Sequence, residues 1–251
     1  YFGVGTSRES KTGLKSTWGT SIGGDGEDTI NSVAETSDGG MVAGGYFKSS
    51  NINLGNDIVL TNDDSQKGMV IKYNANKEVE WAKAVGKTIN AVVGCSDGGI
   101  VVGGSFSKDI DLGNGANLVA NKIFSNLMII KYNESGECEW ANGIGNKGNN
   151  YISEVAECSD GGIIVGGKYW KSALDLGNGV SLSNKGYSDG MIIKYNAEGE
   201  YEWAKGIGGI DNDEIMSLVG THDGGIIAGG DFQSMSLELD NNITLKNNSN
   251  E

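Results

Sequence analysis

The chain has 251 residues, 42 of them glycine and none proline, and a net charge of −14 with Arg8 as its single arginine. Abundant glycine without proline or a Gly-X-Y period excludes collagen and points to many tight turns, and a 37% hydrophobic share argues against disorder. No basic stripe is present to displace counterions from phosphates, which argues against nucleic acid, and no run of 18 apolar residues offers membrane insertion.

The chain opens at Tyr1 without a methionine, as a processed protein or an excised piece does. From Trp18 onward a unit of about sixty residues recurs, with Trp18, Trp81, Trp140 and Trp203 at intervals of 63, 59 and 63. A first strand, such as Ile30 to Thr36, leads into Ser37-Asp38-Gly39-Gly40. That turn returns as Ser96-Asp97-Gly98-Gly99, Ser159-Asp160-Gly161-Gly162 and His222-Asp223-Gly224-Gly225. Asp-Gly-Gly supplies the positive φ that a hairpin needs. The second strand follows as Met41 to Phe47 or Ile100 to Phe106, and always contains a Gly-Gly pair. The third ends in Lys72-Tyr73-Asn74, Lys131-Tyr132-Asn133 or Lys194-Tyr195-Asn196. The fourth carries Glu80-Trp81, Glu139-Trp140 or Glu202-Trp203.

No segment keeps a helical apolar period, and four antiparallel strands per unit predict an all-β chain folded as a β-propeller of four repeats. The expected single domain spans 1–251, with blades at about 28–86, 87–145, 146–209 and 210–251 plus 1–24. The fourth copy stops before any Lys-Tyr-Asn or Glu-Trp. Near the start, Lys11-Thr12-Gly13 stands before Trp18 as Glu134-Ser135-Gly136 stands before Trp140. The N-terminal segment is therefore expected to complete the sheet begun by residues 213–245 and so remove open edges. A piece of a longer propeller is the alternative.

Trp203-Ala204-Lys205-Gly206-Ile207-Gly208-Gly209, followed by Asp223-Gly224-Gly225 and the run to Phe232, resembles the SBBP-type β-propeller repeats of bacterial secreted and surface proteins. The resemblance covers essentially the whole chain. It implies an extracellular or cell-surface location and a role in adhesion or display. It transfers no catalytic residue.

Catalysis finds little to work with. His222, the only histidine, replaces a turn serine, so neither a metal triad nor a Ser-His-Asp set can be assembled. Gly86-Lys87-Thr88 lacks the earlier glycine of a phosphate loop, because Trp81 stands there. Cys95, Cys138 and Cys158 occupy strand positions taken by other residues in sister copies and read as structural. The turn aspartates Asp38, Asp97, Asp160 and Asp223 read as caps on their own backbone.

Two links between the fourth strand and the next first strand are acidic. Asp25, Glu27 and Asp28 lie in one, and Asp211, Asp213 and Glu214 in the other. Oxygen-rich loops are candidates for calcium, although neither link has the EF-hand order. Ring closure would bring the two links to one side. These links share an end of the sheets with the divergent loops Lys48 to Lys67, Ser107 to Asn126 and Lys171 to Asp189. Variable loops on a repeated scaffold are where binding concentrates. Trp170, the one tryptophan outside the repeat, with Tyr169, Asp25 and Asp211, is the candidate contact set for a glycan or a protein on a cell surface. The expected function is a non-enzymatic binding or adhesion module. A structural spacer is the alternative, and a glycan-active enzyme using Asp28 and Asp213 comes third.

Overall fold

The computed structural model describes residues 2–10, 13–120, 125–145, 148, 150–177 and 179–247. Tyr1, and Lys11 and Thr12 of the N-terminal turn, lie outside the described residues. Within them the chain is all strand and loop, apart from one 3-10 turn at Asp240–Asn242. No helix among the described residues is long and apolar enough to cross a membrane.

The N-terminal hairpin consists of β1 (Phe2–Ser10) and β2 (Gly13–Ile22). Three four-stranded antiparallel sheets follow, each from one repeat. The first contains β3 (Asp28–Glu35) and β4 (Met41–Phe47). A small hairpin of β5 (Asn51–Asn53) and β6 (Val59–Thr61) precedes its last strands, β7 (Lys67–Tyr73) and β8 (Val79–Ala84). The second contains β9 (Thr88–Gly94) and β10 (Ile100–Phe106), the small pair β11 (Ile110–Asp111) and β12 (Asn117–Leu118), then β13 (Asn126–Tyr132) and β14 (Cys138–Ile144). The third contains β15 (Tyr151–Glu157) and β16 (Ile163–Trp170), the pair β17 (Leu174–Gly177) and β18 (Val180–Leu182), then β19 (Ser188–Tyr195) and β20 (Tyr201–Ile207). The fourth repeat supplies β21 (Asp213–Gly220), β22 (Ile226–Phe232) and the small pair β23 (Ser236–Glu238) and β24 (Thr244–Lys246).

The hairpin turns form where the sequence places them. Gly39, Gly98, Gly161 and Gly224 take φ of 77°, 90°, 78° and 85°, the region that a side chain makes unfavourable. Each turn aspartate caps its backbone as expected: Asp38 accepts the Gly40 N–H at 2.9 Å and Asp160 the Gly162 N–H at 2.9 Å. The other carboxylate oxygen has a second use. It receives a buried lysine, Lys72 on Asp38 and Lys194 on Asp160 at 2.7 Å each, and Lys131 on Asp97. The same ammonium groups reach the Glu of the Glu-Trp pair, as Lys72 reaches Glu80 at 2.9 Å. Three recurring motifs thus meet around one buried lysine in each four-stranded sheet.

Consecutive sheets stack face to face in chain order, and their cores lie between them. Val42 and Val70 of the first sheet pack with Ile89, Val92 and Val102 of the second. The first glycine of each pair makes this approach close enough: on Gly44 a Cβ would lie 2.5 Å from Val92. The second serves its own sheet, since a Cβ on Gly45 would strike the Thr29 backbone of the neighbouring strand, where the register shifts. Burying each Ile or Val in these seams contributes about 1.5–3 kcal/mol. The first strands, β3, β9, β15 and β21, pack on one another in sequence, whereas β8, β14 and β20 make no comparable packing, so the sheets fan outward.

The chain ends differ from expectation. Among the described residues β1 pairs only with β2, and β21 only with β22, so the two hairpins do not join into a fourth four-stranded sheet. Trp18 lies edge-on to Tyr73 with centroids 5.6 Å apart, much as Trp81 lies on Tyr132 and Trp140 on Tyr195. The N-terminal hairpin therefore occupies the outer half of a sheet preceding the first, as its motifs imply. It remains apart from β22 because the fan does not return: β21 packs on β15, β16 and β19, with no comparable packing on β3.

Candidate functional site

The acidic links fold back on the loops that follow the second strand. Asp25 accepts from Ser50 N and Oγ at 2.8 and 2.9 Å. Asp28 accepts from Ser49 Oγ at 2.6 Å, Ser49 N at 3.1 Å and Gly24 N at 2.9 Å. Glu27 takes Lys48 Nζ at 2.6 Å and the Tyr46 hydroxyl at 2.9 Å. In the fourth repeat Asp213 is held by Ser234 Oγ at 2.7 Å and Gly209 N at 2.8 Å. Glu214 pairs with Lys168 at 2.6 Å, and the Asp211 N–H donates to Ser234 Oγ at 3.1 Å. These bonds place the links and the variable loops at the same end of the sheets.

The two acidic links are the calcium set expected from the sequence. Most of their carboxylate oxygens already serve serine, backbone or lysine donors, and hydrogen bonds from Ser50 hold Asp25 below the usual carboxylate range. Among the described residues no group of three or more His, Cys, Asp or Glu side chains is arranged to hold a metal. Nor are the links brought together, since β3 and β21 lack the packing that joins neighbouring first strands. Asp28 and Asp213 thus act as clamps on their own loops, and the arrangement does not assemble them into a carboxylate pair.

The sequence leaves Tyr169 and Trp170 open to two readings, a ligand contact or the filling of the space that Phe106 takes in its own repeat, and Tyr169 takes the second. It is fully buried and donates to the Ser183 carbonyl at 2.8 Å, filling the place of Phe47 and Phe106. Strand alternation explains the split between neighbours: with Tyr169 turned inward, Lys168 and Trp170 turn outward. Trp170 is partly exposed and lines a cleft of about 270 Å³ between the third sheet and β22. Lys168, Ser188, Asn212, Glu214, Asp231 and Gln233 share that cleft with it. Asn212 is fixed by Ser188 Oγ and Gln233, each at 3.2 Å. The Asp231 carboxylate has no hydrogen-bond partner among the described residues. A partly exposed indole beside a solvent-exposed carboxylate and fixed amides suits a ligand with an apolar face and several hydroxyls.

Sequence reasoning found Trp170 but not Lys168, Asn212, Asp231 and Gln233. The available signal was alternation about the buried aromatic, because residues 231 and 233 flank Phe232 as 168 and 170 flank Tyr169. A second cleft of about 280 Å³, near Asp63, Asp64, Lys67 and Lys108, is less suited. Its charges are paired with one another, Asp64 with Lys108 at 2.7 Å and Asp63 with Lys67.

No protein-family model matches the chain. It is 25% identical over 141 residues to the regulatory protein FlaEY of Caulobacter vibrioides, a match covering 55% of this chain and 15% of that protein. The chain is therefore similar to a small part of a much longer protein.

Proposed function

We propose that the repeats are blades of an SBBP-type β-propeller belonging to an extracellular bacterial protein, and that its loop-bearing end binds carbohydrate at the Trp170 cleft. The fanned, face-to-face sheets support the propeller arrangement. The observation that carries the ligand reading is Trp170 beside the solvent-exposed Asp231 and the fixed Asn212 in one cleft. The indole face stacks on the C–H face of a sugar ring, and Asp231 and Gln233 take its hydroxyls.

A glycan array followed by titration of the retained oligosaccharides, read by tryptophan fluorescence, tests this reading. Trp170→Ala and Asp231→Asn should each weaken binding about tenfold or more. Failure to retain any glycan, or equal retention by Trp170→Ala, would overturn it.

A further inference from the structure

The third strand of each sheet and the first strand of the next carry residues of matching type at one equivalent pair of positions. Lys67, Asn126 and Asp189 face Phe47, Phe106 and Tyr169 across the ladder. Lys87, Asn150 and Asp213 each stand two residues before the buried Ile89, Ile152 or Ile215. The first seam thus carries two lysines, the second two asparagines and the third two aspartates. Lys87 is exposed, and Lys67 is paired with Asp63. The aspartates are instead sealed in, Asp189 being 1% exposed and Asp213 2%. Of the three pairs, only this one is both ionisable and buried, at places that the second seam fills with amides.

The two carboxylates are provided for unequally. Asp213 accepts on both oxygens, from Gly209 N at 2.8 Å and from Ser234 Oγ and N at 2.7 and 3.3 Å. Asp189 accepts from Lys185 N at 2.9 Å and from the Tyr169 hydroxyl at 3.4 Å, both on Oδ2, and its Oδ1 has no partner. Gly208 packs so closely that a Cβ there would strike the Asp189 carboxyl. The titratable groups that act on Asp189 are Asp213 from β21, the Tyr169 hydroxyl from β16, and the exposed Lys185 before β19. The neighbouring β20 ends there in the uncharged Ile207. Burial and the Asp213 charge raise the Asp189 pKa, and Lys185 and the hydrogen bonds offset only part of this. A buried carboxylate pair holds one charge far more readily than two, and the place for the proton is Asp189 Oδ1.

We propose that this pair makes the third seam a proton-operated joint that controls access to the Trp170 cleft. Ser188 and Asn212, the residues immediately before the pair, form a bridge between the third sheet and the start of β21, and both line that cleft. Trp170 lies opposite Ser188 in the ladder. With Asp189 neutral the bridge holds. As pH rises and Asp189 ionises, two buried charges repel directly behind the bridge. The Ser188–Asn212 contact loosens, and the cleft widens beside Trp170. The inference concerns the wall of the cleft and stands whatever ligand the cleft takes.

Acrylamide quenching of Trp170, taken as the difference between the native chain and Trp170→Phe, tests it from about pH 4 to 8. The quenching constant should rise about twofold or more in a single titration, with circular dichroism unchanged. Installing the second seam's pair, Asp189→Asn with Asp213→Asn, should leave quenching flat across that range. Should the double variant not fold, Asp189→Asn alone serves, because its amide oxygen keeps the bond from Lys185 N. Quenching that does not change with pH in the native chain overturns the proposal. So does a titration that persists in these variants.

Discussion

The Lys72 ammonium lies 2.7 Å from Asp38 Oδ2 in a side chain only 1% exposed, although the two residues stand 34 positions apart. Glu80 at 2.9 Å and the Tyr73 carbonyl at 3.0 Å complete its surroundings. The cluster ties the turn before the second strand to the third and fourth strands. Removing an anion should therefore be worse than removing the Lys72–Asp38 pair together. Asp38→Ala leaves a buried cation short of a partner and should destabilise by about 2–4 kcal/mol, whereas Lys72→Met with Asp38→Asn should be milder. Urea melts of the two variants measure the difference; equal losses would refute this reading of the cluster.

The same cluster sets a pH dependence. Burial pushes the Asp38 carboxyl up, but hydrogen bonds from Lys72, Thr36 and the Gly40 N–H, with the Lys72 charge, outweigh it and hold the group at about 2. The unfolded chain takes up this proton near 3.8, so the stabilisation is complete above that value and is lost as pH falls towards 2. About 2 kcal/mol should vanish across that window. Urea midpoints between those limits should fall more steeply for the native chain than for Asp38→Asn.

How much of this was legible in the sequence follows from what each motif does alone. Asp-Gly-Gly fixes a local turn, and the four turns form where they were expected. Lysine ordinarily marks a solvated face, so burial of Lys72, Lys131 and Lys194 could be read only by asking why Lys, Asp and Glu recur together. Trp170 was visible because it breaks the repeat, whereas Asn212 and Asp231 reach its cleft from another repeat, where only the alternation about Phe232 points to Asp231. Closure was beyond the sequence for a different reason. It depends on the angle accumulated between sheets, and repeats of equal length are compatible with several such angles.

Asp189 offers the opposite sign. Its carboxyl is buried, Oδ1 has no hydrogen-bond partner, and Oδ2 accepts from Lys185 N at 2.9 Å. Burial first, then the charge of nearby Asp213, raises its pKa. The folded state therefore holds this proton more tightly than the unfolded chain does, and stability falls as pH climbs from 3.8 through the raised folded value. Asp189→Asn keeps one acceptor and removes the buried charge. Its melting temperature at neutral pH should exceed that of the native chain, by about 1–2 kcal/mol in stability. An unchanged or lower melting temperature would show that the ionised group is accommodated.

Gly44 and Gly229 occupy equivalent places in the repeat and differ in what faces them, which makes them a matched pair. A methyl group on Gly44 would lie 2.5 Å from Val92 and 2.6 Å from Ile89, both held by the second sheet. Neither neighbour is the free end of a long side chain, so the seam must open or the strand must shift. Overpacking of this kind costs about 1–3 kcal/mol. On Gly229 the same methyl meets nothing, and the alanine gains by restricting the unfolded chain, so any change should stay within about 0.5 kcal/mol or favour the variant. Denaturant melts compare Gly44→Ala with Gly229→Ala. Equal effects would mean that glycine is required at these positions by the strand itself and not by the sheet that seats on it.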